Sequence, residues 1–169
     1  MEPHRSPASF HFETPPHVMI VEGRFYTDIA DLQLQGVKTV LDRAHATYEV
    51  ITVPGALEIP AVISMVLKSL SLDPVRRRCD GFVALGCVLK GGTHHDEIVA
   101  FESARSLQYL AVRYALAIGN GILTCPTKEQ AMERADPARL NRSGQAAEAA
   151  LRMIELEHQF RLPSKGQGL

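Results

Sequence analysis

Short apolar runs alternate with amphipathic stretches along most of this chain. His17 to Val21 is a compact apolar run, and Asp28 is placed to cap a helix that carries Ile29, Leu32, Val37, Val40, Leu41 and Ala44 on one face. The pattern repeats. Tyr48 to Val53 is a β-branched strand, Pro54 to Glu58 is its exit loop, and Pro60 sits near the first turn of a helix that reaches about Ser69. After a linker from Ser71 to Arg78, Gly81 to Leu85 has the continuous apolar character of a buried parallel strand. A Gly-rich loop from Gly86 to His95 leads from it into a helix over Asp96 to Tyr114. The spacing then predicts a fourth strand, Ala117 to Leu123. Thr127-Lys128-Glu129-Gln130 reads as a capping box that opens a short helix to Ala135. Gly144 to Phe160 forms a last helix with Ala146, Ala147, Ala150, Leu151 and Ile154 inward.

Strands alternating with helices of this length imply right-handed crossovers. The expected class is α/β, a three-layer αβα sandwich on a four-stranded parallel sheet. Ligands in such sheets sit outside the carboxyl ends of the strands. Chemistry is therefore sought in the loops at Glu22 to Thr27, Pro54 to Glu58, Gly86 to His95 and Thr124 to Thr127. Ahead of the domain, Ser9-Phe10-His11-Phe12 alternates like a short strand, but Pro15-Pro16 separates it from the first apolar run. The expected division is an N-terminal arm over 1–16 that pairs with something else, one α/β domain over 17–160, and a tail over 161–169.

The composition narrows the class of function. A chain of 169 residues with 46% hydrophobic content supports one core. A net charge of -1 gives no field that would draw it to nucleic acid or an anionic membrane, and no stretch reads as a transmembrane span. Cys79, Cys87 and Cys125 lack CxxC spacing, which argues against a disulfide framework or a thiolate metal site and points to a reducing cytoplasm.

Gly86-Cys87-Val88-Leu89-Lys90-Gly91-Gly92-Thr93 has the glycine spacing of a phosphate loop, with Gly92 where the lysine would stand. Backbone N–H groups at a helix entrance suit one phosphate monoester better than a nucleoside triphosphate; the alternative is a glycine turn without a ligand. At that entrance the helix dipole disfavours imidazolium, so His95 is either a neutral proton shuttle or an idle surface residue. Val99 occupies the position four residues on, so no metal pair forms on this helix. Phe25 offers a ring for stacking on a heteroaromatic ligand or for packing. Glu58 either favours its helix dipole or accepts from substrate hydroxyls, and Arg134 and Arg142 are either phosphate forks or solvated surface groups. The run Arg76-Arg77-Arg78 reads as solvated linker.

Taken in order, five blocks resemble the lumazine synthase family of riboflavin biosynthesis. They are Arg24-Phe25, Val53 to Pro60, Ala84 to His95, Gly121-Ile122-Leu123-Thr124 and Glu129 to Ala135. The resemblance implies a flavodoxin-like sandwich and a condensation of 5-amino-6-(D-ribitylamino)uracil with 3,4-dihydroxy-2-butanone 4-phosphate. The products would be 6,7-dimethyl-8-ribityllumazine, phosphate and water, formed without metal or organic cofactor. Carried over by motif, Phe25 stacks on the pyrimidine, Ala56, Leu57 and Glu58 hold the ribityl chain, and Cys87, Val88 and Leu89 bind the pyrimidine edge through backbone groups. Gly92, Thr93 and Arg134 hold the phosphate, and His95 falls at the family's catalytic histidine.

The same resemblance implies a homopentamer with sites between subunits, Asn120 and Arg142 being contributed across the interface, and a functional link to riboflavin synthase. The N-terminal strand would then join a neighbour's sheet. Pro137 and the extra residue in Asn141-Arg142-Ser143-Gly144 alter the connection before the last helix and favour free pentamers over larger shells. Tyr26 stands for a usual Asn, Asn120 for a frequent aromatic and Lys90 for Arg, departures that bear on affinity more than identity. The alternative is a catalytically weakened paralogue that binds flavin or lumazine or serves as a scaffold. A flavodoxin-like regulatory domain that binds flavin nucleotides is a weaker rival.

Overall fold

A computed structural model describes residues 8–73, 79–160 and 162. The Arg76-Arg77-Arg78 linker, residues 1–7 of the arm and all of the expected tail except Leu162 lie outside the described residues. Four strands, β1 (His17–Gly23), β2 (Thr47–Val53), β3 (Gly81–Leu89) and β4 (Ala117–Cys125), form one parallel sheet in the order β2-β1-β3-β4. Five helices accompany them: α1 (Thr27–Arg43), α2 (Glu58–Leu72), α3 (His95–Tyr114), α4 (Lys128–Ala135) and α5 (Arg142–Gln159). The order reverses after β2, so the chain winds first to one side of β1 and then to the other.

This winding sorts the helices by face. Val18, Ile20, Val83 and Leu85 point to one side, where they meet Val37, Val40 and Leu41 of α1 and Ala147, Ala150, Leu151 and Ile154 of α5. Met19, Val21, Phe82 and Ala84 point to the other and pack on Ile59, Ile63 and Leu67 of α2 with Leu107 and Leu110 of α3. Successive residues of a strand face opposite ways, so buried parallel strands are apolar on both faces, as β1 is from Val18 to Val21 and β3 along its length. β2 is an edge and is mostly exposed, its polar positions alternating with Ile51 and Val53.

Several expected boundaries moved, among them the end of β4 from Leu123 to Cys125, the end of α2 from Ser69 to Leu72 and the start of α5 from Gly144 to Arg142, and two of the shifts have a plain physical reason. Helix α1 begins at Thr27 with Tyr26 as its cap, and Asp28 lies inside the first turn, accepting from the Ile29 N–H at 3.0 Å. Strand β3 continues through Gly86, Cys87 and Val88 to Leu89, because β4 runs beside it as far as Cys125 and supplies a ladder for residues that a glycine suggested were loop. Residues 9–12 form no strand within the single chain; Phe10 and Phe12 stack at 6.4 Å and lean on the α1–α5 core, with Phe12 edge-on to His158. Thr127 caps α4 as expected, its Oγ1 accepting from the Gln130 N–H at 3.3 Å. Asn141 caps α5 from a left-handed conformation and accepts from the Gly144 N–H at 3.1 Å. Among the described residues no helix is long and apolar enough to cross a membrane.

Helix α5 seats on β4 at Gly119, where a Cβ would lie 2.0 Å from the Ala146 carbonyl oxygen. The obstacle is backbone, which cannot rotate away. Gly119→Ala should therefore lower stability by about 3 kcal/mol or more, read as a fall in the urea midpoint at fixed protein concentration.

Candidate active site

The reversal of strand order falls between β1 and β3, whose exit segments diverge toward α1 on one face and α3 on the other. A crevice opens where neighbouring loops part in this way. Pairing of β1 with β3 ends at Glu22 and Leu85, whereas β3 stays paired with β4 to Leu89 and Cys125. Cys87 to Leu89 thus lean on β4 by one edge and turn the other, past the end of β1, toward the crevice. That edge presents main-chain donors and acceptors to whatever enters.

The flanking loops supply the rest of this half. Phe25 comes just after β1 and is 75% exposed, with Tyr26 edge-on to its ring at 5.0 Å. From β2 come Ala56, which is buried, and Leu57 and Glu58, which are exposed at the start of α2. Gly91, Gly92, Thr93 and His95 lie beyond β3, all of them exposed. A Cβ built on Gly91 or Gly92 meets no atom within 4 Å, so the chain's own packing does not require glycine there. The His95 N–H lies 3.4 Å from Thr93 Oγ1. His94 turns away and pairs with Glu97 at 3.5 Å.

Asn120, Arg134 and Arg142 gather elsewhere. With Leu123, Thr124 and Gln145 they line a groove of about 430 Å³ at the open edge of β4, beside the first turns of α5. Arg134 donates from Nη1 to the Gln130 carbonyl at 3.2 Å, and Arg142 donates to Gln145 Oε1 at 2.9 Å. The sequence-predicted residues therefore divide on one chain, ten at the ends of β1, β2 and β3 or on the segments that leave them and three in the edge groove.

Charge and burial define what these groups can do. Cys87 Sγ packs beside Ile29, Leu123 and Cys125, and burial pushes its thiol up to about 12. It is a neutral filler with a useful backbone, as burial also makes of Cys79, pushed up to about 12. Asp28 and Lys128 pair at 2.6 Å across the first turns of α1 and α4, which lowers the carboxyl and raises the ammonium. Among the described residues no cluster of His, Cys, Asp and Glu is arranged to hold a metal.

The segments of this rim fall within a sequence likeness that covers nearly the whole domain. Residues 15–158 match the protein family described as 6,7-dimethyl-8-ribityllumazine synthase. The chain belongs to the lumazine synthase family. It is 54% identical over 146 residues to 6,7-dimethyl-8-ribityllumazine synthase 1 of Rhizobium meliloti, an overlap of 86% of this chain and 94% of that one. It is also 54% identical over 142 residues to the synthase of Agrobacterium fabrum, covering 84% and 95% of the two chains. To the synthase of Afipia carboxidovorans it is 49% identical over 150 residues, 89% and 91% of the two.

Sequence reasoning passed over several residues that build this lumazine synthase rim. Gln33 is 1% exposed, and its amide donates to the Gly86 carbonyl at 3.0 Å and the Gly121 carbonyl at 2.9 Å, strapping β3 and β4 where they leave the core. Its signal was a polar residue at the core position between Ile29 and Val37. Glu22, buried at the end of an apolar strand, carries the same kind of signal. Gln145 has none, since it is an ordinary polar residue near a helix start.

A thiol held up to about 12 leaves little thiolate near neutrality. Alkylation of Cys87 at pH 8 should run roughly a thousandfold slower than that of an unhindered free thiol, followed by mass spectrometry of the native protein.

Proposed function

We propose that this chain condenses 5-amino-6-(D-ribitylamino)uracil with 3,4-dihydroxy-2-butanone 4-phosphate to give 6,7-dimethyl-8-ribityllumazine, with phosphate and water released. The observation that carries the reading is the strand overhang at the crevice, where Cys87 to Leu89 present backbone between Phe25 and the Gly91–Gly92 turn. A flat, hydrogen-bonding heterocycle fits an open strand edge with a ring beside it. A phosphate fits exposed N–H groups at the entrance of α3, where glycine is unexplained by internal packing.

In this reading Phe25 stacks on the pyrimidine and Cys87, Val88 and Leu89 pair with its polar edge. Ala56, Leu57 and Glu58 hold the ribityl chain, the Glu58 carboxylate accepting from hydroxyls. Gly92, Thr93 and Arg134 take the phosphate. His95, close behind the phosphate turn, moves protons as the amine adds to the ketone carbonyl, as phosphate leaves and as the ring closes. Holding two reactants in register can supply about 7–11 kcal/mol, whereas one acid–base group gives about 10²- to 10⁴-fold, so positioning dominates.

The assembly proposed is a homopentamer in which the edge groove of one chain, with Asn120, Arg134 and Arg142, completes the crevice of the next, so that Arg134 meets the phosphate held by a neighbour's Gly92 and Thr93. The separation of that groove from the crevice within a single chain supports this. So does α3, which leaves Ile98, Phe101, Tyr109 and Val112 exposed. The open edges of β2 and β4 offer places for a neighbour's arm. A cytoplasmic enzyme handing its product to riboflavin synthase completes the proposal.

Turnover with both substrates, followed by lumazine absorbance on the purified oligomer, tests the reading directly; ligand binding without product would establish the scaffold alternative instead. His95→Ala should lower kcat by about 10²-fold and leave measurable turnover. Wild-type rates would remove His95 from the chemistry. Arg134→Ala should raise KM for the butanone phosphate by about 10- to 100-fold, the worth of a charged hydrogen-bonding fork, with a smaller effect on the uracil.

A further inference from the structure

The loop that carries Phe25 has little packing of its own, yet it is bounded by a dense set of charges. Glu22, next to last in β1, is 3% exposed. Its Oε1 accepts from Thr52 Oγ1 of β2 at 3.0 Å, and its two oxygens accept from Arg24 Nη1 at 3.2 and 3.1 Å. The other arm of the Arg24 guanidinium, Nη2, pairs with Asp31 in the second turn of α1. One side chain thus spans from the end of β1 to a point inside the next helix, and Phe25 and Tyr26 lie within the span.

The geometry constrains more than one loop. Gly23, between Glu22 and Arg24, lies against the backbone of Gly55, where a Cβ would stand 2.9 Å from the Gly55 carbonyl carbon. Through Thr52 and Gly23 the same anchor bears on the β2 exit that delivers Ala56, Leu57 and Glu58. An arginine is needed because its planar fork reaches two carboxylates in different directions, while a lysine is a single point charge. Without it, a buried carboxylate keeps only a hydroxyl donor among these contacts, and the connection between β1 and α1 loses its tie.

We propose that Arg24 is a positioning residue that sets affinity for the heteroaromatic substrate by strapping the Phe25 loop to buried Glu22 and to α1. The proposal rests on the reading of Phe25 as the stacking ring. Arg24 touches no reacting atom; it acts through the direction of the Phe25 ring and, secondarily, through the β2 exit loop.

Steady-state kinetics on Arg24→Lys, Arg24→Gln, Asp31→Asn and Phe25→Ala, with KM measured separately for each substrate, test this. Arg24→Lys and Arg24→Gln should raise KM for the ribitylaminouracil about tenfold, approaching Phe25→Ala, and leave KM for the butanone phosphate within about twofold. Asp31 is exposed, so Asp31→Asn folds whatever Arg24 variants do, and should move the same KM in the same direction by about two- to threefold. If Phe25→Ala raises the uracil KM while the Arg24 and Asp31 variants leave it at the wild-type value, the strap is refuted and the stacking role stands. If both KM values rise together with a fall in melting temperature, Arg24 is merely structural and the proposal fails. If Phe25→Ala leaves the uracil KM unchanged, the stacking role falls and the strap with it.

Discussion

The hydrogen-bonded ladder between β3 and β4 is the constraint on which the rest depends. It runs from Gly81 and Ala117 to Leu89 and Cys125, while the ladder on the other side of β3 stops at Leu85. A strand held on one side only is rigid enough to present its backbone and open enough to be read by a ligand. The reversal of strand order places that half-open stretch where the two neighbouring loops turn to opposite faces. A shorter β4 would return Cys87 to Leu89 to a mobile loop, and a longer β1 would close the edge.

Much of this was legible in the sequence. Continuous apolar runs gave the buried parallel strands, and helix-period stripes in α1 and α5 identified the residues that cover one face. The strand boundary at Leu85 was misplaced because Gly86 resembles a loop glycine. Here it lies in a packed strand, with Ala56 Cβ and Ile59 Cδ1 about 3.7 Å from where its own Cβ would be. Helix termination and strand extension are decided by what runs alongside, and that information is distributed along the chain. Asp28 illustrates the same limit: a good capping residue by type was displaced into the first turn, where an ion pair with Lys128, far along the sequence, uses its charge.

The candidate site residues stood in recognisable motif blocks, but their division between the ends of β1 to β3 and the edge groove was not visible from spacing alone. His95 and Arg134 read as parts of one constellation when ordered along the sequence. In space they sit on segments that leave different strands, and Arg134 shares its groove with Asn120 and Arg142. Polar residues on apolar stripes, Gln33 and Glu22, turned out to be supports for the rim. Their chemistry is internal: amide to carbonyl, carboxylate to guanidinium.

The packing of α5 against α1 has a consequence for synthesis. The apolar stripe of Val37, Val40 and Leu41 is among the first parts of the domain to leave the ribosome, and its covering residues Ala147, Ala150, Leu151 and Ile154 are among the last. The ion pair from Arg43 to Glu148 closes over 105 residues. Until that final helix emerges, β1 and β3 can cover only one side of the stripe, and the side that α5 will close stays open to water on the nascent chain.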